Sequence, residues 1–158
     1  MFSLIITIIS IALVAALAVA TLYYGGSAFS QGSAKAVADT IITQAQQIAG
    51  ANTLYANDNG GSYSTIASLT AGSYLASAPT APVSAATAAQ PYGVAGGTTN
   101  YVTLNLDGPS APTVCLAIAK AAGTVSSSTT VDSRSAVSST TQFDCAGGAV
   151  PAAFQFKG

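Results

Sequence analysis

The sequence predicts an α+β fold in which one long N-terminal helix, apolar in its first half, leads into a small head built on antiparallel strands. Three observations carry this. Phe2 to Leu22 is almost continuously aliphatic, an apolar stripe at helical spacing runs from about Ser33 to Tyr55, and Asn100 to Leu106 alternates in side-chain type. No proline occurs before Pro79, so nothing forces a stop in the first third of the chain.

From Met1 to Ala34 no side chain is charged at neutral pH, and between Phe2 and Leu22 only Ser3, Thr7, Ser10 and Thr21 are polar. About 20 apolar residues, rising about 1.5 Å each, cross a hydrocarbon layer about 30 Å thick, so the run has the length of a bilayer span. A core helix of a small domain is not expected to run so far without a polar face. Two other readings stay open. Ala18-Val19-Ala20 resembles the cleavage site of a secretory signal, although no basic region precedes the run and the run is longer than such signals use. An ordinary single-span anchor fits as well. The four hydroxyl residues fall on one helical stripe, completed by Val14 and Leu17, while Ala12, Ala15, Ala16 and Ala20 offer small contacts elsewhere. Small and hydroxylated residues let apolar helices approach closely, whereas each hydroxyl taken singly is expected to bond back to its own helix.

Tyr23 and Tyr24 follow where an interfacial aromatic pair would sit. Gly25 and Gly26 then predict a kink or local unwinding, since each weakens a helix by about 1 kcal/mol relative to Ala. Beyond them Val37, Ile41, Ala45, Ile48, Ala51 and Tyr55 form an apolar stripe opposed by Lys35, Asp39, Thr43, Gln46 and Gln47. The chain therefore divides into residues 1–24, a membrane-spanning helix, residues 25–56, its amphipathic continuation, and residues 57–158, a head.

In the head, Asn57-Asp58-Asn59-Gly60-Gly61 is a breaker cluster that ends the helix. It holds one carboxylate and no closing Glu, so it lacks the donors of a calcium loop. Thr65 to Leu75 reads as a short helix or turn closed by Pro79 and Pro82, and the Ala-, Gly-, Ser- and Thr-rich Val83 to Thr99 as a loop. Val102, Leu104 and Leu106 mark the buried face of a strand that Asp107-Gly108-Pro109 terminates. Pro112 to Ala122 reads as a strand or a short helix, and the proline at its start with the spacing of Cys115, Ile118, Ala119 and Ala122 favours the helix. Ser126 to Thr141 is a solvated hairpin or loop whose hydroxyls could accept O-linked sugars, a plain polar hairpin being the simpler reading. Phe154 and Phe156 alternate in a final strand, Ala152 to Phe156.

Composition narrows the function. The cations are Lys35, Lys120, Arg134 and Lys157, scattered along the chain, so no basic patch for nucleic acid is expected. The acids are Asp39, Asp58, Asp107, Asp132 and Asp144, and the chain has no Glu, His or Trp. Catalysis and metal binding draw first on His and Glu, so no catalytic, cofactor-binding or metal-ligating residue is expected and the chain is not expected to be an enzyme. Serine chemistry would have to proceed with isolated lysines as its only amine bases. Cys115 and Cys145 would pair in an oxidising compartment. The alternative is two thiols, with no His or cationic cluster beside either to activate it.

Several stretches together resemble the bacterial type IV pilin family, in particular its larger branch, type IVb. They are Met1-Phe2-Ser3-Leu4-Ile5-Ile6-Thr7-Ile8-Ile9 with Ser10, the amphipathic continuation through Ile48, Gly72-Ser73-Tyr74-Leu75-Ala76-Ser77-Ala78-Pro79, and the Cys115 to Cys145 pair followed by a phenylalanine strand. The likeness covers most of the chain in the order of its elements, through few specific residues. The first nine residues look like the mature end left after a prepilin peptidase removes a leader. The resemblance implies a long helix packed on an antiparallel sheet, and a disulfide-bounded region between Cys115 and Cys145. It also implies a helical homopolymer of identical subunits, with the N-terminal helices in the filament core and the heads outside. Such subunits wait in the inner membrane until an ATP-powered assembly machine builds them into a cell-surface filament for adhesion, motility, DNA uptake, conjugation or secretion. No cofactor is implied. The family usually carries Glu at the fifth mature position, thought to pair with a neighbour's N-terminal amine. Here Ile5 stands there, or Ile6 if Phe2 is the first residue, and neither can make that pair. A minor or tip pilin, a secretion pseudopilin, or an exported binding or adhesin domain on one membrane span are the alternatives.

Overall fold

Helix α1 runs Phe2–Asp58, and the computed structural model describes residues 2–82, 84–86, 92–95, 97–126, 134, 136–147 and 152–158. The chain forms two compact units, Met1–Ser33 and Ala34–Gly158. The described residues of the first are helical throughout. The backbone stays helical across Gly25 and Gly26, so the unwinding expected there does not occur. Glycine lowers helix propensity, but unlike proline it keeps the amide that the i to i−4 ladder needs.

The second unit holds the rest of α1, α2 (Ile66–Ala71), α3 (Ala111–Ala121) and the strands β1 (Gly93–Ala95), β2 (Tyr101–Leu106), β3 (Phe143–Ala146) and β4 (Ala152–Lys157). The strands form one sheet in the order β1-β2-β4-β3, with every neighbouring pair antiparallel. The last strand of the sequence therefore lies inside the sheet. Val102 faces Phe156 and Leu104 faces Phe154 across β2 and β4. Side chains alternate along a strand, so this register places all four on one face. All four are buried there with Ile41 and Ile48 of α1 and Val114 and Ile118 of α3. Removing each such side chain from water contributes about 1.5–3 kcal/mol, which makes this face the main source of the head's stability. On the opposite side of α1, Lys35, Asp39, Thr43, Gln46 and Gln47 are exposed, as the stripe predicts.

The cluster Asn57 to Gly61 ends α1, with Gly60 and Gly61 at φ 71° and 87° and the Gly61 amide bonded to the Ala56 carbonyl at 2.7 Å. Asp58 serves this corner, its carboxylate accepting from the Tyr74 hydroxyl at 2.8 Å. Two strands lie where the sequence predicts none. β1 falls inside the stretch expected to be a loop, because Gly-Val-Ala has little strand propensity of its own and is extended by pairing with β2. A Cβ on Gly93 would stand 2.6 Å from Thr103 Oγ1, so a larger residue there would have to turn the Thr103 side chain aside. β3 breaks the usual alternation because Asp144, Cys145 and Ala146 are all buried.

Two buried amides join α1 to the sheet. Asn52 Nδ2 donates to Asn100 Oδ1 at 3.0 Å, and Asn52 Oδ1 accepts from the Ser64 amide at 2.9 Å. Asn100 Nδ2 in turn donates to the Ala49 carbonyl at 3.0 Å and to Thr53 Oγ1 at 3.2 Å. The Asn100 carbonyl accepts from the Gly158 amide at 2.9 Å, which ties in the end of β4. Asn100→Ala leaves the Asn52 amide and the Ala49 carbonyl without these partners in a dry site. It is expected to destabilise the head by about 2–3 kcal/mol, read as a lower denaturant midpoint at unchanged slope.

Candidate functional site

Phe2–Tyr23 is a strongly apolar helical stretch of 22 residues, and none of it is buried. At about 1.5 Å per residue it measures roughly 33 Å, enough to cross a bilayer. Phe2, Leu4, Ile5, Ile6, Ile8 and Ile9 are all exposed, Ile9 least at 53% and Phe2 most at 85%. Among the described residues, the only exposed large hydrophobic side chains outside this stretch are Phe29 and Leu54. Exposure runs around the whole helix and not along one stripe, so the surface suits lipid or a surround of apolar helices better than one flat partner. Met1, and with it the α-amine, lies outside the described residues.

The hydroxyls of this helix bond inward. Thr7 Oγ1 donates to the Leu4 carbonyl at 2.8 Å, Ser10 Oγ to Ile6 at 2.8 Å and Thr21 Oγ1 to Ala18 at 2.9 Å. Each of these three hydroxyls is thereby covered by its own turn, which lowers the cost of placing it in hydrocarbon. Each oxygen also keeps lone pairs that can accept from a neighbouring chain.

In the head, Cys115 of α3 and Cys145 of β3 form a disulfide with a Cα–Cα distance of 5.2 Å across 30 residues, and both are fully buried. Beside it lies an arrangement that no motif announces. The Asp144 carboxylate, 1% exposed, accepts from Thr124 Oγ1 at 2.6 Å, Arg134 Nη1 at 2.8 Å, Arg134 Nη2 at 3.0 Å and the Ser138 amide at 2.6 Å. Arg134 Nη2 also donates to the Cys145 carbonyl at 2.7 Å. Burial pushes the Asp144 carboxyl up, and the bonds from Arg134, Thr124 and the Ser138 and Cys145 backbone outweigh it, holding its pKa below the ordinary 3.8. The other charged side chains on the elements packed against β3 are Lys120 of α3 and Lys157 of β4. A lone Asp next to a Cys and a lone Arg in a Ser/Thr-rich stretch were the only sequence signals, and neither marks its partner.

No family model, curated protein or solved structure matches this chain. What can be said of function therefore rests on the chain's own surfaces. A hollow of about 420 Å³, open to solvent, is lined by Asp39, Thr40, Thr43, Gln44 and Gln47. It brings one carboxylate together with amides and hydroxyls. Tyr92 closes over the same helix, its hydroxyl donating to Gln44 Oε1 at 2.6 Å, and burial raises its pKa. The surface that calls for a partner is the apolar helix.

Closing the 30-residue loop should contribute about 3–4 kcal/mol to the head on the chain-entropy model. Mass spectrometry of unreduced peptides is expected to recover Cys115 and Cys145 in one linked species, and Cys115→Ser to lower the denaturant midpoint accordingly. Because the Asp144 pKa is depressed on folding, its contribution is complete above about pH 3.8 and is lost as pH falls through the lower folded value. Thermal melts of wild type should therefore fall more steeply in that acid window than those of Asp144→Asn, which should start lower at neutral pH.

Proposed function

We propose that the chain is a structural subunit that polymerises through its N-terminal apolar helix into a pilus-like filament on the bacterial surface, as the type IV pilins it resembles do. One observation carries the reading. A helix of 22 residues, wholly exposed and apolar apart from one narrow stripe of hydroxyls, belongs to a chain whose head already owns a closed core. That helix needs an apolar surround that the head does not supply. Lipid provides it before assembly, and the helices of identical subunits provide it afterwards. Ala12, Ala15, Ala16 and Ala20 permit close helix approach, which is where packing between apolar helices gains its energy.

With Ile5 and Ile6 at the positions where the resemblance expects an acid, no carboxylate precedes Asp39. A protonated amine among aliphatic helices must then be met by carbonyls of a neighbouring helix and by hydroxyls such as those of Thr7 and Ser10. Register rests on packing and small-residue contacts, so assembly depends little on salt. The same substitution favours a second reading, a minor or tip subunit or a secretion pseudopilin, in which the chain is sparse within a filament of other subunits.

Removing residues 1–24 is expected to give a head that stays in solution and sediments as a small species, while the intact chain pellets as filaments at low and high salt alike. Filaments formed by the truncated chain would refute the reading. Micrographs and peptide analysis of sheared surface material separate a main subunit from a trace one, and material without filaments leaves a membrane-anchored exported domain. In a filament map, an aspartate carboxylate within hydrogen-bonding reach of the Met1 amine would overturn the neutral-acceptor account.

A further inference from the structure

The stretch from Ala122 to Gln142 has Val125, Val131 and Val137 as its only apolar residues larger than alanine. Such a composition buries too little to hold itself in place. Its described residues reach the body of the head by converging on one carboxylate. Thr124, Arg134 and Ser138 all donate to Asp144, and between them they fill both oxygens, two donors to each. The two ends of the stretch are held independently. The Thr124 amide bonds to the Ala119 carbonyl at 3.0 Å, the Gln142 carbonyl accepts from the Lys157 amide at 2.6 Å, and the disulfide joins α3 to β3.

We propose that Asp144 is a local lock: with its carboxylate ionised Arg134 and Ser138 are held on the head, and with that charge removed these two residues are released while α3, the sheet and the disulfide stay in place. The chemistry of the site explains why charge decides. Four donors surround two oxygens, so only a group that accepts at every position satisfies them. An asparagine amide, or a protonated carboxyl, turns at least one of those positions into a donor aimed at another donor. The guanidinium then regains more from water than from the site.

Arg134 makes the lock measurable, because it is the only arginine and the only trypsin site between Lys120 and Lys157. Trypsin must draw the whole arginine side chain into its pocket, and the docked guanidinium is held by Asp144 and by the Cys145 carbonyl. Cleavage follows the population of the open form when closing is fast. The experiment compares the full-length chain in detergent with its Asp144→Asn and Arg134→Lys variants, following cleavage at residue 134 against cleavage at Lys120 on α3. Asp144→Asn should be cut at Arg134 at least about tenfold faster than wild type, with a much smaller rise at Lys120. The cut chain should run as one species until its disulfide is reduced, then as two. Arg134→Lys keeps a trypsin site and a charge but loses the fork, and should also be cut faster than wild type. Equal rates at residue 134 in wild type and either variant would overturn the lock. So would a parallel rise at Lys120, which would make Asp144 a support of the whole head and not of this stretch.

Discussion

Hydrophobic burial holds the second half of α1 against the sheet, but it does not by itself choose where along the helix the sheet should sit. Apolar contact is non-directional, and a stripe of Ala and Ile offers near-equivalent seats one turn apart. The Asn52–Asn100 pair removes that freedom, because a buried amide donor must meet an acceptor or leave both groups unsatisfied. Once Asn100 is placed, the start of β2 is placed. β4 follows from the register of β2, β3 from β4, and the position of Cys145 opposite Cys115 from β3. Much of the head's geometry descends from one contact between two neutral side chains.

The parts of this fold that were legible in the sequence are those whose signal is local. The helical stripe around Ile41 and Ile48, the alternation of Val102, Leu104 and Leu106, the paired phenylalanines of β4 and the proline that opens α3 each show within a few residues what surface they will bury. Strands β1 and β3 were not legible, because Gly93–Ala95 is extended by its neighbour and Phe143–Ala146 has both faces enclosed. The buried amides and the Asp144 cluster were hidden for a related reason. Their partners lie up to 51 residues away, and polar residues in polar stretches look solvated until those partners are known. At Gly25-Gly26 the helix does not unwind, since a propensity cost of this size does not stop a helix that loses no hydrogen bond.

The two units meet opposite demands. The head encloses its polar groups with one another, as in the four donors about Asp144, and turns hydroxyls and amides outward. The N-terminal helix covers its few hydroxyls with its own carbonyls and turns everything aliphatic outward. Ile5 and Ile6 are part of that exposed aliphatic surface.

The sparse charge of the chain has a kinetic side. Nine ionisable acids and bases of opposite sign, spread over 158 residues, generate little field beyond a screening length. Copies of such a chain cannot find one another by long-range attraction, and free in solution their encounters would be slow and poorly oriented. On the proposed reading the apolar helix supplies what the missing field does not. Held in a bilayer, it confines the search to two dimensions and gives every copy a common orientation, so crowding in the plane of the membrane takes over the role that steering plays for highly charged proteins.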